Sequence, residues 1–273
     1  MTGPAAGRSS KRPSPLLALT EIPRAVAELG MLPWAAPALA TVPRGDGHSV
    51  LVIPGFNASD SATRILRRYL AHLGYDAHGW DLGRNHGPRS VGDDGEKLLE
   101  RIEAIYDRQH RRVSLIGWSL GGIMARALCR RVPDQVRQVI TLGAPFAGAP
   151  KDTRVWRLYE FLSGQKVDDD RALAYLREGE TPLPVPSTAI WSRDDGIVPW
   201  ANCVEPNCAN SDNIEVFGSH FGLPVNPAVL YAVADRLAQP EDGWRRFDRR
   251  GLIRAMVYPS SGHANLASDG AGN

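Results

Sequence analysis

The stretch RRVSLIGWSLGGIMARALCRR (111–131) decides how the rest of the chain is read. Its apolar run from Val113 to Ile116 has the length and bounds of a buried strand, and a helix-like pattern follows. Between them stands Gly117-Trp118-Ser119-Leu120-Gly121, a fit to G-x-S-x-G. An ordinary strand–turn–helix, with glycine for the turn and serine as a helix cap, accounts for it locally. The alternative is a nucleophile elbow, in which small neighbours tolerate a strained backbone that lifts the serine oxygen above the sheet. The motif alone recurs by chance, so its surroundings must decide.

Those surroundings alternate strand-like and helix-like segments. HSVLVIPG (48–55) reads as a buried strand, and SATRILRRYLAHLG (61–74) puts Ile65, Leu66, Tyr69, Leu70 and Leu73 on one helical face. YDAHGW (75–80) is a second strand. GEKLLERIEAIYDRQH (95–110) is an amphipathic helix through Leu98, Leu99, Ile102, Ile105 and Tyr106. Strands are predicted again at VRQVITLG (136–143), STAIWS (187–192) and NIEVFG (213–218), and a last helix at NPAVLYAVADRLAQ (226–239). Such alternation implies crossover connections, hence an α/β fold with a mostly parallel sheet and helices on both faces. Ligands of such sheets gather at the carboxyl ends of the strands.

The long interval between Gly143 and Ser187 breaks this rhythm and reads as a helical cap insertion, at about 147–185. Residues 1–44 are expected as an N-terminal extension packing on or near the core, 45–240 as the main domain, and 241–273 as a tail with a disordered end.

Composition excludes several classes. The 273 residues are 43% hydrophobic and 23% charged, with a formal net charge of +2. That is ordinary for a globular protein and offers no basic face for nucleic acid. No signal peptide is read, because the apolar run behind Arg8, Lys11 and Arg12 ends at Glu21. Leu29 to Val42 is uncharged but broken by Pro33 and Pro37 and too short to cross a bilayer. A cytoplasmic location is therefore expected, with a membrane-surface contact left open and oligomeric state unspecified. Cys129 is expected as a buried thiol. Cys203 and Cys208 are close enough for a disulfide, with a reduced pair equally open, and no spacing suggests a metal site.

A serine hydroxyl attacks only when a base takes its proton and an acid orients the base. In this architecture the order is serine, acid, histidine. His220 and His263 both follow the serine. His220 comes straight off a strand within small neighbours (GSHFG), whereas His263 lies in the polar tail, so His220 is the expected base. For the acid, WSRDDGIVPW offers Asp194 and Asp195. The Asp-Gly turn is expected to expose Asp195, which is preferred, while Asp194 caps the turn or pairs with Arg193. Oxyanion donors are expected from the backbone N–H of Leu120 and, in IPGFNAS, of Phe56. Arg84, Asn85 and His86 either meet substrate or bond within their own loop. Trp118, Trp156, Phe161 and Trp200 are candidates for an apolar acyl pocket.

Together, VLVIPGFNAS, GWDLGRNHGP, LIGWSLGGIMAR, ITLGAPFAG, SRDDGIVPW and VFGSHFGL resemble the α/β-hydrolase superfamily, specifically its bacterial lipase/esterase-like members, over residues 45–240. The resemblance implies the α/β-hydrolase fold and hydrolysis of an acyl ester, small or lipid-like, through an acyl-enzyme, with no cofactor. It maps Ser119 to the nucleophile, Asp195 to the acid, His220 to the base, and Phe56 and Leu120 to the oxyanion amides. Many lipases carry His-Gly where this chain has Pro54-Gly55, a change that keeps the amide donor and removes the histidine. Acyltransferases, thioesterases and non-catalytic binding proteins share the same frame.

Overall fold

A computed structural model describes residues 13–92, 94–147 and 181–259. Its strands are β1 (Ser49–Ile53), β2 (Asp76–Gly79), β3 (Val113–Trp118), β4 (Val136–Leu142), β5 (Ser187–Trp191) and β6 (Ser211–Glu215). They form one sheet in the order β2-β1-β3-β4-β5-β6, with every neighbouring pair parallel. The chain runs outward from β1 to β2, then returns to place β3 on the other side of β1. That reversal opens a crevice at the carboxyl ends of β1 and β3, where open α/β sheets bind their ligands.

Buried strand residues alternate between two apolar layers, as the pleat requires. On one face Val50, Val52, Ile116, Ile140 and Ile190 meet α4 (Arg64–Leu73) and α8 (Pro227–Leu237) through Leu66, Leu70, Val229 and Val233. On the other, Leu51, Ile53, Leu115 and Val139 meet α6 (Glu96–Gln109) and α7 (Leu120–Arg131) through Leu98, Ile102, Leu128 and Cys129. The predicted strands and helices appear within a few residues of their expected bounds. The last predicted strand begins at Ser211, two residues early, and Asn226 caps α8 by accepting from the Ala228 and Val229 N–H groups.

The N-terminal segment folds as α1 (Pro15–Leu19), α2 (Glu21–Gly30) and α3 (Leu32–Leu39). Leu39 and Val42 enter the core layer beside α8. Past α8, α9 (Leu252–Val257) precedes Tyr258, whose ring packs edge-on against Phe247 at 4.7 Å. The interval 148–180, with most of the expected cap, lies outside the described residues. Among the described residues, no helix is long and apolar enough to cross a membrane.

Cys129, Cys203 and Cys208 are all free thiols. Burial pushes the Cys129 thiol up to about 12, and raises that of Cys203 as well. A thiol-disulfide reagent at neutral pH should therefore modify Cys208 alone in native protein and all three cysteines after denaturation. Rapid native modification at Cys203 would contradict its enclosure.

Candidate active site

Ser119 sits at the join of β3 and α7 with φ +53° and ψ −120°, a conformation that a non-glycine residue adopts only under constraint. Two bonds hold it there. Its N–H donates to Leu142 O at 2.8 Å, and its carbonyl accepts from Gly122 N–H at 2.9 Å. The flanking glycines are required by close approach. A Cβ on Gly117 would lie 2.3 Å from Gly121 O, and one on Gly121 would lie 2.3 Å from Ile53 O. The motif therefore packs β3, α7 and β1 backbone to backbone, and the serine hydroxyl is what remains above the sheet.

The other expected residues arrive from strands β5 and β6. His220 Nε2 stands 3.0 Å from Ser119 Oγ, and His220 Nδ1 stands 2.6 Å from Asp195 Oδ2. A carboxylate only accepts, so Nδ1 carries the proton and Nε2 is left to accept from the serine. Asp195 Oδ1 accepts from the N–H groups of Ile197 and Val198 at 2.8 and 2.7 Å. The Asp-Gly turn was expected to expose Asp195. It is instead 3% exposed, because its own carboxylate caps the turn from inside. Asp194 does not pair with Arg193, which binds Glu215 Oε1 at 2.8 Å. Asp194 N–H donates to Ser192 Oγ at 3.0 Å, and the same hydroxyl accepts from Gly218 N–H at 3.2 Å, tying the acid loop to the histidine loop. His263 lies outside the described residues.

Burial disfavours the imidazolium of His220. The Asp195 carboxylate and its hydrogen bond, with Glu21 nearby, more than offset that, and its pKa is raised above the ordinary 6.5.

The turn after β1 lies against Ser119, since a Cβ on Gly55 would meet Trp118 Cε3 at 3.1 Å and Ser119 Cβ at 3.3 Å. Phe56 follows Gly55 in that turn, and Leu120 is the first residue of α7, whose N–H precedes the intrahelical ladder. Asn85 is fully buried and holds the turn. Its Nδ2 donates to Pro54 O at 2.7 Å, and its backbone carbonyl accepts from Asn57 N–H at 2.7 Å. Arg84 Nη1 donates to Asn57 O at 2.9 Å, and His86 Nε2 lies 3.3 Å from Asn57 Oδ1. All three residues thus brace the turn after β1.

Of the aromatic candidates, Trp118 is 8% exposed and its indole N–H donates to His220 O at 3.1 Å. Trp200 stacks on Trp191 at 5.1 Å, and the Arg193 guanidinium lies 4.2 Å from the Trp200 ring centroid. Trp156 and Phe161 lie outside the described residues. Phe217 and Phe221, which sequence reasoning missed, are exposed, and the Phe221 ring lies edge-on to His220 at 5.9 Å. Among the described residues no cluster of three or more His, Cys, Asp or Glu could hold a metal ion.

A family model described as a PGAP1-like alpha/beta domain matches residues 95–172. The chain is 28% identical over 113 residues to the pimeloyl-[acyl-carrier protein] methyl ester esterase of Shewanella woodyi, covering 41% of this chain and 42% of that one. It is 27% identical over 124 residues to the mouse serine hydrolase BPHL, again covering 41% and 42%. The match thus spans under half the length of these curated relatives. The Bacillus licheniformis lipase BlEst2 structure superposes with a TM-score of 0.51 at 18% identity, over 71% of this chain and 92% of that one. With its parallel sheet, its reversal between β1 and β3, and its serine at the strand–helix corner, the chain has the α/β-hydrolase fold.

Proposed function

We propose that this chain is a serine hydrolase that cleaves carboxylic esters through an acyl-enzyme, with Ser119 as nucleophile, His220 as base and Asp195 as the acid that orients it. The observation that carries the reading is the continuous relay from Ser119 Oγ through His220 to Asp195, at 3.0 and 2.6 Å. As Ser119 Oγ bonds to the ester carbonyl carbon, its proton passes to His220 Nε2. The resulting oxyanion faces the N–H groups of Phe56 and Leu120. The carbon–oxygen bond to the alcohol then breaks, and His220 returns its proton to the leaving oxygen. Water, deprotonated by the same nitrogen, attacks the acyl-enzyme, and Ser119 recovers its proton as the acid departs. Asp195 keeps the imidazole in the one tautomer that supports each step.

An esterase among the relatives supports this bond class. The exposed Phe221 beside His220, with Trp200 after the acid loop, favours an apolar acyl group. Labelling with a fluorophosphonate tests the reading. Wild type should label and Ser119→Ala should not, after which p-nitrophenyl esters of graded chain length, with matched thioesters, define the acyl group and leaving group preferred. Folded wild type that neither labels nor turns over any ester would overturn it.

A further inference from the structure

Two carboxylates on α2 are buried as deeply as the relay, yet none of the steps above uses them: Glu21 is 1% exposed and Glu28 8%. A carboxylate removed from water persists only where donors replace its hydration. Here three of the donors are backbone N–H groups of the two loops that carry Asp195 and His220, joined by the side chains of Asn226 and Arg24. Glu21 Oε1 accepts from Gly196 N–H at 2.7 Å and Oε2 from Phe221 N–H at 3.0 Å. Two helical turns on, Glu28 Oε1 accepts from Ser219 N–H at 2.7 Å and Oε2 from Asn226 Nδ2 at 2.9 Å. Between them Arg24 donates one nitrogen to Asp194 O and the other to Glu21 Oε1, both at 2.8 Å.

The placement of these bonds is specific. They fall on Asp194 and Gly196, which flank Asp195, and on Ser219 and Phe221, which flank His220. The loops are shaped to receive the helices. A Cβ on Gly196 would lie 2.5 Å from the backbone of Leu17, and one on Gly222 would lie 2.2 Å from Glu28 Oε2. Apolar burial does not explain the docking of this helix, because Ile22 and Val26 point outward, 68% and 63% exposed.

We propose that α2 is a clasp on the catalytic loops, in which Glu21, Arg24 and Glu28 are positioning residues that hold Asp195 and His220 at bonding distance from each other and from Ser119. The assignment rests on the hydrolase reading above. The clasp fixes each loop on both sides of its functional residue, so the relay keeps its geometry without a rigid element beneath either side chain. It also faces His220 with a second carboxylate, Glu21, besides Asp195, while Arg24 and Glu28 bind the adjoining backbone.

The test compares wild type with Glu21→Gln, Glu28→Gln and Arg24→Lys by p-nitrophenyl butyrate kinetics across pH and by hydrogen exchange of segments 192–199 and 216–223. In Glu21→Gln, kcat should fall at least about tenfold with KM within about threefold, because relay geometry rather than substrate contact is lost. The acid limb of kcat/KM should move to lower pH, since a charge that favours the imidazolium is gone. Exchange should quicken in both segments for Glu21→Gln, and in 216–223 for Glu28→Gln. Unchanged kcat, acid limb and exchange in folded variants would overturn the clasp. Should Glu21→Gln fail to fold, Arg24→Lys, which keeps the charge and removes the bond to Asp194, must still lower kcat and quicken exchange in 192–199. If wild type itself shows no turnover, the hydrolase reading fails separately. The exchange arm then judges the clasp: wild-type protection in the variants sinks it, and its loss retains it.

Discussion

Asp195→Asn is expected to lower kcat by about 10⁴-fold on an activated ester, and Asp194→Asn to change it by no more than about threefold. The two acids are neighbours in sequence but not in role. Asp195 divides its oxygens, Oδ2 to His220 Nδ1 and Oδ1 to the Ile197 and Val198 N–H groups. An asparagine there would keep its carbonyl on the two amides, turning its NH2 toward Nδ1. That nitrogen would then accept, Nε2 would hold the proton, and His220 could no longer take one from Ser119. Asp194 contributes backbone, with its N–H to Ser192 Oγ and its carbonyl to Arg24. The pH profile offers a second check. Activity needs neutral His220, whose pKa is raised above 6.5, so wild-type kcat/KM should fall as pH drops through that raised value. Residual activity of Asp195→Asn should persist to lower pH, because the charge favouring the imidazolium is gone. Equal losses in the two variants would remove Asp195 from the relay.

What the sequence disclosed and what it hid divide along a physical line. Strand and helix patterns are local, so β1 to β6 and the helices α4, α6 and α8 were legible from apolar periodicity alone. The meeting of Ser119, Asp195 and His220 within bonding distance agrees with the residue types and chain order on which the sequence reading rests. The burial of Asp195 was not legible, since an Asp-Gly pair reads as an exposed turn, and only its tertiary partners show the carboxylate turned inward. Asn85 was named only as one of three loop residues, and its grip on Pro54 O joins positions 31 apart in sequence. Glu21 and Glu28 were invisible for a stronger reason. On α2 the charged positions face inward and Ile22 and Val26 outward, the reverse of what helical amphipathicity leads one to expect. No periodicity argument finds a helix that docks through carboxylate-to-amide bonds.

Arg126→Ala should lower the free energy of unfolding by about 3–5 kcal/mol, the largest stability loss expected of any single exchange near the site. Arg126 lies on α7 behind Ser119, 1% exposed, and Glu205, past the acid loop, is its equally buried partner. The guanidinium also lies 3.9 Å over the Phe146 ring and donates to Thr181 O at 3.1 Å. Burial pulls the Arg126 pKa down and pushes that of Glu205 up, each opposed by the partner's charge. Removing one leaves the other buried without its closest counter-charge, which costs more than the pair contributes. Arg126→Met combined with Glu205→Leu should therefore recover most of the loss, measured by guanidinium chloride unfolding followed by circular dichroism. The pair also joins α7, at whose start Ser119 stands, to the chain that follows the Asp195 loop. Ester turnover in the double variant consequently separates two roles. Recovered stability with wild-type kcat would make the pair a matter of packing, whereas recovered stability with reduced kcat would make it a strut that sets Ser119 against the Asp195 loop. A loss below about 1 kcal/mol in Arg126→Ala would mean that water reaches Glu205, and that the enclosure described for this layer is wrong.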